Sequence, residues 1–123
     1  SAVALAGGTY TINGGLATGG TNFNSFSDFK QAIVCGGIAG PIVVNVINKG
    51  SVYNEQVEFG AIGGVSSTNT ITINGNGQTI SFGGGTPRAT MLFNGSSYFK
   101  VKNLIIEGTA TTNCYGVQVT GFQ

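Results

Sequence analysis

The feature that most constrains this chain is a set of short runs, alternately apolar and polar, that return at a coarse and nearly regular interval. From Pro41 onward the β-prone runs are 42–46, 52–59, 70–73, 79–82, 91–93, 98–101, 104–106 and 117–119, broken by Gly, Asn or Ser. Ile42 and Ile71 are 29 residues apart, Ile71 and Phe99 28, Val57 and Ile80 23, Ile80 and Ile105 25, and Phe93 and Val119 26. Within 70–74 (Thr-Ile-Thr-Ile-Asn) and 99–103 (Phe-Lys-Val-Lys-Asn) the alternation buries one face of a strand and wets the other. Such short strands recurring every ~20 to 30 residues predict an all-β solenoid whose coils each carry several strands and stack on one another.

The first forty residues differ. Residues 8–12 (Gly-Thr-Tyr-Thr-Ile) read as one strand running into the turn Asn13-Gly14-Gly15, and a Gly- and Asn-rich loop, 16–24, follows. In 25–35, Phe26, Phe29, Ala32 and Ile33 fall on one face of a helix. Ser25 is the expected N-cap, and Asp28 stands where a carboxylate can reach back to the cap amide and meet the positive end of the helix dipole. Gly36-Gly37 supplies the stop. A solenoid end exposes apolar core and unpaired strand edges, so this helix is placed to close the amino-terminal end. We therefore divide the chain into 1–40 (strand, loop and capping helix) and 41–123 (first coils). No corresponding cap follows the last run, and the expectation is a longer parent or another cover for that edge.

Composition narrows the function. Five Lys and Arg residues (Lys30, Lys49, Arg88, Lys100 and Lys102) are scattered rather than clustered, which excludes a nucleic-acid or anionic-membrane footprint. No run is long enough to span a bilayer, so direct membrane insertion is not expected. The chain has no His, and its two cysteines, Cys35 and Cys114, lack metal-ligand spacing. They are either one disulfide or two buried thiols serving as small apolar groups. No cofactor is implied. Gly19-Gly20, Gly36-Gly37 and residues 83–85 are turns rather than phosphate loops, since none leads into Lys-Ser/Thr and a helix.

The four acids are Asp28, Glu55, Glu58 and Glu107. Glycoside hydrolysis needs two carboxylates facing across a groove; Glu55 and Glu58 have an odd spacing that sends them to opposite strand faces. Glu58 and Glu107 would have to meet across coils, and Asp28 is better explained as a cap. No catalytic constellation emerges. Tyr53, Tyr98 and Tyr115 are the carbohydrate-contact candidates, by ring stacking on an outer wall, against the plainer reading of half-buried packing. Thr68, Thr70 and Thr72 would make an ice-binding array only if repeated on the next coil, and 99–102 does not repeat them. A weakly charged wall of Thr and Asn suits a polysaccharide or cell-surface glycan, and equally suits an inert exterior.

Three stretches carry a resemblance. Residues 26–33 (Phe-Ser-Asp-Phe-Lys-Gln-Ala-Ile), 40–46 (Gly-Pro-Ile-Val-Val-Asn-Val) and 53–57 (Tyr-Asn-Glu-Gln-Val) resemble the opening of pectin-lyase-like β-helices, pectinesterases among them. Residues 8–12 and the Gly64 to Thr72 stretch, with its Asn-Thr-Ile-Thr end, are similar to secreted β-helix repeat proteins of Bacteroidota. The resemblance implies a right-handed parallel β-helix, a secreted or cell-surface location, type IX export and contact with secretion or surface-anchoring proteins. It implies a noncatalytic, adhesin-like or carbohydrate-contacting amino-terminal part of a large protein. The alternative is the front end of a polysaccharide lyase or carbohydrate esterase whose site lies beyond Gln123, since no Asp follows Asp28 here.

Overall fold

Alternating burial marks β-strands 8–12, 42–46, 57–59, 71–74, 99–102 and 115–120 of this protein, whose computed structural model describes residues 3–83, 89–109 and 115–121. In chain order they are β1 (Gly8–Ile12), β2 (Asn22–Phe23), helix α1 (Phe26–Gly36), β3 (Ile42–Val46), β4 (Tyr53–Asn54), β5 (Val57–Phe59), β6 (Ile71–Asn74), β7 (Thr79–Phe82), β8 (Ala89–Asn94), β9 (Phe99–Lys102), β10 (Ile105–Gly108) and β11 (Tyr115–Thr120). The fold is mostly β, with one short helix and three open parallel sheets. Their strand orders are β2-β1-β3-β6-β9, β10-β7-β4 and β11-β8-β5. From β3 onward the chain visits the three sheets in fixed rotation, so each strand pairs with the one three elements later.

Register tests the sequence periods directly. Ile42 pairs with Ile71 and Ile71 with Phe99, and Phe93 pairs with Val119, so three of the five spacings are true rungs. The other two are corrected. Ile80 pairs with Ile106 rather than Ile105, and with Tyr53 rather than Val57. Val57 pairs with Met91, 34 residues on. The run 52–59 is two strands that belong to different sheets, split at Glu55 and Gln56. Only two residues separate β4 from β5 whereas six separate β7 from β8, so the interval depends on which sheet is followed.

Inward positions of β3, β6, β7 and β8 are sealed: Ile42, Val44, Val46, Ile71, Ile73, Ile80 and Met91 are fully buried. β1 belongs to this core as well, since all five of its residues pair in register with β3. The loop 16–24 holds one further strand, β2, too short to show an alternation, which pairs with Thr11 and Ile12.

Helix α1 covers the end of this stack. Its buried face is Phe26, Phe29 and Ile33. Phe26 meets Tyr53 edge-on at 5.4 Å between ring centroids, Phe29 meets Phe23 at 5.5 Å and Phe59 at 6.3 Å, so the helix is fastened to β2, β4 and β5. Ser25 caps it as expected, its Oγ accepting the Asp28 amide at 3.0 Å. Gly37 ends it at φ 74°, its amide donating to the Ile33 carbonyl. A Cβ there would stand 2.5 Å from the Gly63 carbonyl oxygen, so the stop needs glycine for both conformation and space.

Candidate functional site

The outward side chains of the five-stranded sheet align into two columns. One runs Asn22, Thr11, Asn45, Asn74, Lys102, and the other runs Thr9, Val43, Thr72, Lys100. Thr11 Oγ1 donates to Asn22 Oδ1 at 2.7 Å, and Asn74 Nδ2 donates to Asn45 Oδ1 at 3.0 Å. These bonds hold neighbouring side chains in place. The wall thus carries hydroxyl and amide groups around Val43, with Thr11–Asn22 and Asn45–Asn74 held by hydrogen bonds and its cations at one end. The Asn45–Asn74 rung was legible as two Asn residues at the same 29-residue interval as Ile42 and Ile71.

Every acid has a partner in the fold. Asp28 accepts from the Thr18 hydroxyl, and does not perform the reach-back expected of it. Glu55 takes that role from a distant turn: Oε2 accepts the Phe26 amide and Oε1 the Ser27 amide, each at 3.0 Å, and Oε1 also accepts the Ser27 hydroxyl. A carboxylate there satisfies first-turn amides that have no partner within the helix and meets its positive end. Glu58 accepts from Asn94 at 3.3 Å, and Glu107 accepts from Ser81 Oγ at 2.8 Å. Glu58 is on β5 and Glu107 on β10, in different sheets, so the two are not brought together.

Of the tyrosine candidates, Tyr53 is corrected. It is buried, 2% exposed, because its ring lies under Phe26 and its hydroxyl is surrounded by backbone. The Ile47 carbonyl at 2.7 Å and the Ile12 carbonyl at 3.1 Å accept from that hydroxyl, and the Gly14 amide donates to it at 3.1 Å. Lys49 Nζ stands 4.9 Å from the ring centroid, a cation over an aromatic face. Burial raises the Tyr53 pKa above the usual 10.0; the Gly14 bond opposes this and the charge of Glu55 adds to it. A group that ionises more readily when unfolded contributes stability that is complete below about pH 10 and lost as pH climbs through its folded pKa. Stability measured by urea melts is expected to fall above pH 10, and Tyr53→Phe to flatten that fall while lowering neutral-pH stability by about 1–2 kcal/mol. An equally steep alkaline decline in the variant would remove Tyr53 as its cause.

Tyr98 and Tyr115 are about half exposed, but in different sheets: Tyr98 leads into β9 with a left-handed backbone, φ 61°, and Tyr115 opens β11. They do not form one stacking platform. Cys35 is exposed at the end of α1, which corrects the buried-thiol reading for this residue; Cys114, and with it the disulfide, lies outside the described residues, as does Arg88. Among the described residues no three His, Cys, Asp or Glu side chains are grouped to hold a metal ion, and no helix is long and apolar enough to cross a membrane. Comparison of the chain with protein-family models, with curated proteins and with solved structures returned no match.

Proposed function

We propose that this chain is part of a right-handed parallel β-helix of a secreted or cell-surface protein, and that its role is noncatalytic contact with an extended glycan. Three parallel sheets visited in rotation, with a helix over one end, support the β-helix reading. The observation that carries the function is the outer wall of the five-stranded sheet. Its Thr and Asn groups step along the stack at the strand spacing of about 4.8 Å, a repeat suited to successive hydroxyls of a polysaccharide lying across the strands. Hydrogen bonds between neighbours fix several of these groups before any ligand arrives, which lowers the ordering cost of binding. The carboxylates are spent on the helix cap, Thr18, Asn94 and Ser81, which favours the binding role over the esterase or lyase alternative.

Affinity electrophoresis through a series of neutral and acidic polysaccharides tests the reading. Retardation by at least one glycan is expected, and Val43→Glu, in the middle of the wall, is expected to weaken it about tenfold, or about 1.4 kcal/mol. Val34→Glu, exposed on the helix, is the control. Migration unaffected by every glycan, or retardation indifferent to Val43→Glu, would reject the wall as the contact surface.

A further inference from the structure

We infer that Asn13 is a site of spontaneous covalent modification: the Gly14 amide attacks the Asn13 side chain, ammonia leaves, and water opens the resulting ring to an aspartyl or isoaspartyl residue. The inference is independent of the β-helix and glycan readings. Asn is chemically labile, and most so before Gly, where no Cβ hinders the attacking backbone nitrogen. The chain has four such pairs, at 13–14, 74–75, 76–77 and 94–95.

Exposure alone would choose another pair, since Asn76 and Asn94 are exposed whereas Asn13 and Asn74 are half-buried. Hydrogen bonding at the reacting atoms reverses that order. At three pairs the attacking nitrogen is tied to backbone: Gly75 donates to the Lys102 carbonyl at 2.8 Å, Gly77 to the Asn103 carbonyl at 2.7 Å and Gly95 to the Thr120 carbonyl at 2.9 Å. The leaving nitrogen is held there as well. Asn74 Nδ2 donates to Asn45 Oδ1, Asn76 Nδ2 to the Val46 carbonyl and Asn94 Nδ2 to the Glu58 carboxylate.

Asn13 differs at every reacting atom. The Gly14 amide donates to the Tyr53 hydroxyl at 3.1 Å, the longest of the four glycine-amide bonds and the only one that rests on a side chain. Asn13 Nδ2 has no acceptor among the described residues. Asn13 Oδ1 accepts the Gly15 amide at 2.9 Å. That bond polarises the carbonyl under attack and meets the negative charge that develops on its oxygen, so the turn carries its own oxyanion donor beside the nucleophile.

In the reaction the Gly14 nitrogen gives its proton to solvent base and bonds to Asn13 Cγ. The Cγ–Nδ2 bond then breaks, and the nitrogen takes up a proton and departs as ammonia. Water adds to either carbonyl of the imide ring. Attack at the side-chain carbonyl gives an aspartyl residue; attack at the backbone carbonyl reroutes the chain through Cβ and lengthens it by one carbon. Asn13 donates to the Phe23 carbonyl and accepts the Leu16 amide, so the added carbon falls in the turn that ties β2 to β1.

Ageing of the purified 123-residue chain in mildly alkaline buffer is the test, read by peptide mapping in a mass spectrometer and by enzymatic methylation of isoaspartyl carboxylates. In the folded chain, conversion at Asn13 is expected about tenfold ahead of each other pair, and in guanidinium the four should converge. Tyr53→Phe frees the Gly14 amide and should accelerate Asn13 by about a further tenfold while leaving the other three unchanged. Circular dichroism checks that this variant is native, and the order of conversion in the unsubstituted chain decides where it is not. Asn76 or Asn94 converting first, an Asn13 lead that persists in guanidinium, or a native Tyr53→Phe that leaves Asn13 unchanged or accelerates all four alike would overturn the inference. None of these outcomes bears on polysaccharide retardation.

Discussion

Replacing Phe59 by alanine is expected to cost about 4 kcal/mol. Phe59 is fully buried on β5, where α1 meets β8 and β9. Its ring lies 6.3 Å from Phe29 of α1, 5.6 Å and nearly parallel to Phe93 of β8, and 4.9 Å from Phe99 of β9. Alanine removes the transfer free energy of the ring and leaves a void that three aromatic neighbours on separate elements cannot close together. Against a total stability of about 5–15 kcal/mol, that loss sends much of the population to the unfolded state. The check is the urea midpoint with an unchanged slope, and a Phe29/Phe59 double-mutant cycle should return about 0.5–1.5 kcal/mol of coupling. A loss below about 1 kcal/mol would show that the helix and the sheets are held together elsewhere.

Glu55→Ala is expected to cost about 3 kcal/mol, because two first-turn amides and the Ser27 hydroxyl lose their acceptor at once. Glu55→Gln keeps one carbonyl oxygen but turns an NH₂ toward the other amide, and removes the charge that faces the helix dipole. About half the loss should follow. Ser25→Ala sets the scale: it deletes one cap bond and should cost about 1 kcal/mol. The urea midpoints of the three variants should rank in that order, with the Glu55 effects shrinking in salt as the charge component is screened. If Glu55→Ala cost no more than Ser25→Ala, water would be an adequate substitute for the carboxylate, and the turn between β4 and β5 would not anchor the helix.

These two residues separate what is local from what is not. The helix was legible because Phe26, Phe29 and Ile33 share one face and Ser25 and Gly37 bracket them, all within thirteen residues. The acid at its amino terminus was not. Asp28 stands at the local capping distance, but its carboxylate is turned to Thr18, and Glu55 arrives from 28 to 29 residues away through a turn whose path only the folded stack defines.

The sequence by itself determined the alternation of β1, β3, β6, β9 and β11, the helix and its cap residue, and the rungs Ile42–Ile71–Phe99 and Phe93–Val119, where the one-sided period-two pattern rules out any odd slip of register and the interval between matching runs selects the partner. Tertiary structure decided which sheet a run joins, because loops lengthen the circuit unevenly: 52–59 divides between two sheets, and Val57 finds Met91 rather than Ile80. It also decided the fate of Tyr53. A tyrosine opening a strand can face either way, and the aromatic underside of α1 together with the Ile12 and Ile47 carbonyls and the Gly14 amide draws this one inward. Contacts of this kind are set by the order in which strands join the three sheets, which no local window of residues contains.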